Sequence, residues 1–140
     1  MGLHPEGLLW VHDEIEREFA LWVIWSGVDR FGPFALSKLL FQAYRASALT
    51  QEIDPFLVDV RSPAELMGAS ALDLLRGSVA VGEEGRPHSF RLVRGSHEEE
   101  HVLYQWREEW VYHWEGKRRP TLAVNRDWRR FNENVAKLAA

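Results

Sequence analysis

Cysteine is absent from the 140 residues, which removes a disulfide scaffold, a thiolate metal site and a cysteine nucleophile together. Lysine is scarce, with 3 against 14 arginines, and asparagine and glutamine number three each. Depletion of thermolabile residues fits a heat-adapted source, although a GC-rich genome would also favour arginine over lysine. Long apolar runs are missing as well. The longest, Phe19 to Trp25, falls far short of a membrane span and follows an acidic segment, so it is neither a spanning helix nor a signal peptide. The chain therefore reads as cytoplasmic, with no membrane role. Nor is there a P-loop, a dinucleotide fingerprint or a nucleophile elbow, and no cofactor is implied.

What is present is the composition of an ordinary globular domain: 46% hydrophobic and 27% charged residues. That length suits one domain with its own core. Seven tryptophans stand out. Some must be partly exposed in so small a domain, and exposed tryptophan is most easily explained by a partner. Charge is uneven: residues 1–100 carry 9 basic and 16 acidic side chains, whereas 101–140 carry 8 and 5. A polarised surface of this kind suits docking on a charged partner.

The most informative stretch runs from His97 to Trp114. Read as a strand, Val102, Tyr104, Trp106, Trp110, Tyr112 and Trp114 share one face and only Leu103 and Val111 are large apolar residues on the other. Read as a helix, the same residues spread around the circumference and leave no dry stripe. Ser96 with Glu99 would make a capping box and Gly116 a helix stop, which keeps the helix in view. The strand is the reading adopted, with a bend, bulge or turn at Arg107-Glu108-Glu109, because a straight strand of this length is unusual.

Along the rest of the chain, Leu8 to Val11 is a brief strand or a first helical turn. Asp13 with Glu16, then Ile15, Phe19 and Trp22 at helical spacing, predict a first helix ending near Gly27. Its second half, Ala20 to Trp25, is apolar all round, so it is either deeply buried or covered by something else. Pro33 opens a second helix through about Ala48, with Leu36, Leu39, Leu40, Ala43 and Tyr44 inward. Phe56 to Val60 is β-prone. Ser62-Pro63-Ala64-Glu65 has the N-cap, first-turn proline and glutamate of a third helix running to Arg76. Ser78 to Val81 and Ser89 to Arg94 predict strands, with an exposed turn at Gly82–Pro87 between them and a polar connection at Gly95–Glu100 after them. Thr121 to Val124 reads as a last returning strand, and Asn125 would cap a final helix with Trp128, Phe131, Val135 and Leu138 inward. The fold expected is α+β: a mainly antiparallel sheet with N-terminal, middle and C-terminal helices packed on it.

Three segments could carry function. His97-Glu98-Glu99-Glu100-His101 matches the zinc-hydrolase string H-E-x-x-H, in which two histidines one helical turn apart bind the metal and the glutamate activates water. On a strand those histidines stand about 13 Å apart at ~3.3 Å per residue, too far to share an ion. Lys117, Arg118, Arg119, Arg126, Arg129 and Arg130, interleaved with Trp128 and Phe131, could form a single-stranded nucleic-acid surface spanning 117–131. The plainer account puts the aromatics on the inner stripe of a helix and the arginines on its solvated flank. Third, part of the tryptophan-rich face could be a protein-binding patch rimmed by arginines, with Trp110, Trp114, Arg118 and Arg119 as partner contacts.

The whole profile, a cysteine-free acidic chain of 16.3 kDa with thermophile-like usage and many tryptophans, resembles the small host-takeover proteins of bacteriophages. Most specifically it is similar to the inhibitors of host RNA polymerase encoded by phages of thermophilic bacteria. The resemblance implies a non-catalytic protein that docks on the polymerase β-flap and on σ and redirects promoter choice, touching nucleic acid only indirectly. It covers size and composition over the full length and assigns no residue a role.

Overall fold

The computed structural model describes residues 2–47, 54–64, 88–93, 101–115 and 118–140. Six strands among them form one sheet: β1 (Gly7–Asp13), β2 (Glu18–Ile24), β3 (Val58–Arg61), β4 (His88–Val93), β5 (His101–Trp106) and β6 (Val111–Trp114). Their order is β3-β2-β1-β5-β4, with β6 also pairing to β1. Every pairing is antiparallel except that of β2 with β3. The described helices are α1 (Val28–Phe31), α2 (Pro33–Ala46) and α3 (Thr121–Ala139). Together they make the α+β architecture, with the mainly antiparallel sheet, that the sequence pattern leads one to expect. No helix among the described residues is long and apolar enough to cross a membrane.

The predicted first helix is instead a hairpin. β1 and β2 pair from Gly7 opposite Ile24 to Asp13 opposite Glu18. The helix-start signal misleads because the Asp13 carboxylate accepts from the backbone N–H groups of Ile15, at 2.8 Å, and Glu16, at 3.0 Å. An N-cap makes the same hydrogen bonds, but a turn can use them too. Arg17, at φ 56°, then takes the left-handed conformation that reverses the chain. Ala20 to Trp25 is apolar throughout because β2 lies between β1 and β3 and its end is buried from both sides.

The C-terminal helix begins earlier than expected. Pro120 stands at its N-cap position, so Thr121 to Val124 is the first helical turn, not a strand, and Asn125 lies inside the helix. A proline ahead of a helix supplies a fixed φ and lacks the N–H that would be left unpaired. Val124, Asp127, Phe131 and Val135 form its buried stripe.

The aromatic stretch does alternate and does break where a bend was expected. β5 ends at Trp106, a 3-10 turn covers Glu108–Trp110, and β6 resumes at Val111. Leu9 sits opposite Val111 and Leu8 opposite His113, so Tyr112 is the extra residue of a bulge. The six-residue face therefore does not run through: Trp106 and Tyr104 are buried, Tyr112 is 66% exposed, and Val111 and Trp114 turn to the core. β4 matches the strand expected at Ser89–Arg94 within a residue, and α2 the second helix. The strand expected at Phe56 begins only at Val58, after a 3-10 turn at Pro55–Leu57. Ser62 caps as anticipated, its Oγ accepting the Ala64 N–H at 3.0 Å. The remainder of the predicted third helix, the strand at Ser78–Val81, the turn at Gly82–Pro87 and the Gly95–Glu100 connection lie outside the described residues.

Two apolar clusters result. On one face of the sheet, Leu9, Val11, Trp22, Ile24, Tyr104 and Trp106 pack together, with Trp114 and Val111 beside them. The other cluster joins the helices: Trp25, Val28, Leu36, Val124, Phe131 and Val135, to which the sheet contributes Val60.

Candidate functional site

Of the four residues singled out as partner contacts, two belong to a buried polar tie. Glu6 is 2% exposed. Its carboxylate accepts from the Ser26 backbone N–H at 2.9 Å, the Ser26 hydroxyl, and the Arg119 backbone N–H at 3.0 Å. Asp127, 1% exposed, lies 2.8 Å from Arg119 Nη2 and 3.4 Å from His4 Nδ1. Asp29 accepts from the Ser62 hydroxyl and lies 2.5 Å from Arg118 Nη2. The three carboxylates fasten the start of the chain, the β2–α1 junction, the end of β3 and the start of α3 to one another. The buried Glu6 carboxylate is held by three hydrogen bonds, whereas Asp127 is held by its ion pair with Arg119, its Oδ2 accepting no hydrogen bond. Arg119 is thus largely consumed inside the fold, whereas Arg118 is about half exposed. A depression of about 440 Å³ opens here, lined by Ser26, Asp29, Arg30, Arg118, Arg119 and Thr121 among others. Asp29 already answers Arg118, and Ser26 is locked to Glu6 with His4 turned to Asp127, so the cluster reads as structural.

The two predicted tryptophans are half-buried. Trp114 packs on the core cluster and lies so close to Gly7 that a Cβ there would come within 2.6 Å of its ring. Trp110 touches the same cluster and also meets Phe19 edge-on at 5.3 Å, with the Arg107 guanidinium 5.5 Å from its ring centre.

That last contact leads to a surface the sequence reading missed. On the face of the β1–β2 hairpin opposite Leu9 and Val11 stand Trp10 and His12, paired in register with Leu21 and Phe19. The bulge in β6 adds Tyr112 and His113, both exposed. The members are linked: His12 and Phe19 rings lie 4.9 Å apart, and Trp10 Nε1 donates to the Tyr112 hydroxyl at 3.1 Å. Phe19 is 47% exposed and Tyr112 66%. The signal that could have revealed them is the alternation Leu8, Trp10, His12, visible only once residues 7–24 are read as two strands.

Carboxylates border this face. Glu14 lies 2.7 Å from His12, Glu115 lies 3.4 Å from His113, and Glu109 lies 3.8 Å from Arg107. Exposed Glu16 and Glu18 sit at the hairpin end.

No protein-family model matches the chain, and no curated protein or solved structure matches it either. The site must therefore be read from its own chemistry. Among the described residues, no three histidine, aspartate or glutamate side chains gather to hold a metal. His101 opens strand β5, while His97 to Glu100 lie outside the described residues. In the basic segment, Trp128 stacks on Phe31 at 4.7 Å and Phe131 is 2% exposed, so these aromatics face inward while Arg126, Arg129 and Arg130 face solvent. Phe34 and Phe56 are more exposed than any residue of the sheet face, at 80% and 83%. Phe56 meets Phe41 edge-on at 5.4 Å.

Proposed function

We propose that this chain is a non-catalytic regulator that works by binding another protein through the open face of β1, β2 and β6. The observation that carries the reading is the set Trp10, Phe19 and Tyr112: Trp10 donates to Tyr112, Phe19 meets His12 and Trp110, and Phe19 and Tyr112 are left accessible on a sheet whose opposite face is closed. Aromatic residues with a polar tip are the side chains most often found as anchors in protein interfaces. A catalytic surface would need convergent acid, base or nucleophile groups, and the polar groups gathered at Glu6 and Asp127 are spent on holding elements together.

For the partner we propose host RNA polymerase, at the β-flap and σ, with inhibition or redirection of initiation in the host cytoplasm as the outcome. What supports this is the likeness in size and composition to the polymerase inhibitors of thermophilic phages. Tagged full-length protein, exposed to bacterial lysate with and without nuclease, tests both parts. Retention of polymerase subunits after nuclease treatment is the expected result. Capture that disappears with nuclease would shift the reading to the exposed arginines of α3, and retention of neither class of partner would sink it.

A further inference from the structure

We propose that the open face receives an arginine-bearing segment of the partner protein, each guanidinium lying on an aromatic ring and against a carboxylate of the rim. The proposal rests on the protein-binding reading and specifies the chemistry of what that face takes.

Charge complementarity carries it. The hairpin end concentrates Asp13, Glu14, Glu16 and Glu18 against Arg17 alone, and Asp13 and Glu18 stand directly opposite each other across the pair. Asp13 caps the turn through the Ile15 and Glu16 N–H groups, but like charges in facing positions destabilise a hairpin, and neither the Glu16 nor the Glu18 side chain is needed for that cap. In the same region Ile15 is 60% exposed and Phe19 47%. At the other border, Glu109 and Glu115 are 62% and 46% exposed. A phosphate backbone would be repelled by such a rim, and a neutral apolar partner would leave exposed Glu16 and Glu18 unanswered.

The chain itself shows how this chemistry holds an arginine. The Arg61 guanidinium lies 5.1 Å from the Trp22 ring centre and 5.9 Å from that of Tyr104, with Asp59 at 2.6 Å. Arg107 repeats the pattern more openly, 5.5 Å from Trp110 with Glu109 at 3.8 Å. Ring face plus carboxylate is thus a combination this fold uses twice for its own arginines. Phe19 meets His12, the partner of Glu14, and Tyr112 stands three residues along the chain from both Glu109 and Glu115; among the described residues no arginine is stacked on either ring. A planar guanidinium suits such a slot better than a lysine ammonium, because it stacks and forks to a carboxylate at once.

The test is titration of the full-length protein with oligoarginine, oligolysine, oligoglutamate and oligothymidylate, followed by calorimetry and by the Trp10 indole N–H resonance. Oligoarginine is expected to bind and to shift that resonance, oligolysine to bind about threefold more weakly, and the two anionic probes not to bind. Tyr112→Ala should weaken oligoarginine about fivefold by removing a stacking ring. Glu16→Lys should weaken it more than Glu133→Lys, an equal change of net charge placed on α3. Circular dichroism confirms that each variant is folded. The proposal fails if oligoarginine does not bind, if an anionic probe binds as well, or if Glu16→Lys and Glu133→Lys act equally while Tyr112→Ala does nothing. Polymerase capture without oligoarginine binding would overturn this inference alone; oligoarginine binding without capture would overturn only the choice of partner.

Discussion

The β1–β2 hairpin has two faces built from the same seven-residue strands, and they have opposite fates. Leu9, Val11, Trp22 and Ile24 are at most 1% exposed and lie beneath Tyr104 and Trp106. One residue along each strand, Trp10, His12 and Phe19 are open to different degrees and are tied to Tyr112 and Trp110 by ring contacts and one hydrogen bond. Both faces are aromatic, so hydrophobicity does not separate them. What separates them is the neighbourhood: the closed face is roofed by apolar side chains, the open one is bordered by carboxylates. An aromatic residue supports the fold on one face and is available to a partner on the other, and only the register decides which.

The largest expected effect comes from breaking the closed face. Trp22→Ala should lower the unfolding free energy by about 3–5 kcal/mol, read by chemical denaturation, because a large side chain leaves a cavity that its neighbours cannot fill. Asp127→Ala should cost about 3 kcal/mol, since it strands a mostly buried Arg119. The parallel change Asp29→Ala, beside a half-exposed Arg118, should cost about 1 kcal/mol. Gly7→Ala sets a methyl group against the Trp114 ring, and overpacking of that kind should cost about 1–3 kcal/mol. If it proves neutral, Trp114 is free to move and belongs with the open face instead.

How legible was this in the sequence? The α+β class, α2, β4 and the break in the aromatic stretch all followed from period and turn chemistry. The hairpin did not, because Asp13 hydrogen-bonds to Ile15 and Glu16 in a way that helix caps and turns share, and because Ile15, Phe19 and Trp22 happen to fall at helical spacing. Missing that hairpin hid the open face, since Trp10 and Phe19 share a side only when Gly7 lies opposite Ile24. The tie between Arg119 and Asp127 was hidden for a different reason. Burial of Asp127 on the inner stripe of α3 is a tertiary fact, and nothing local in Arg118-Arg119-Pro120 says that one of the two will be drawn in to answer it.

Tyr112→Ala is the smallest perturbation of the fold and the sharpest test of the comparison. The side chain is mostly exposed, so its loss should change stability by no more than about 0.5 kcal/mol. Side by side with the wild-type protein, the variant's capture of its partner from nuclease-treated lysate is the decisive measurement. A folded variant of unchanged stability with capture reduced severalfold is the result expected of an interaction face; full capture by that variant would contradict the assignment of Trp10, Phe19 and Tyr112 to partner binding.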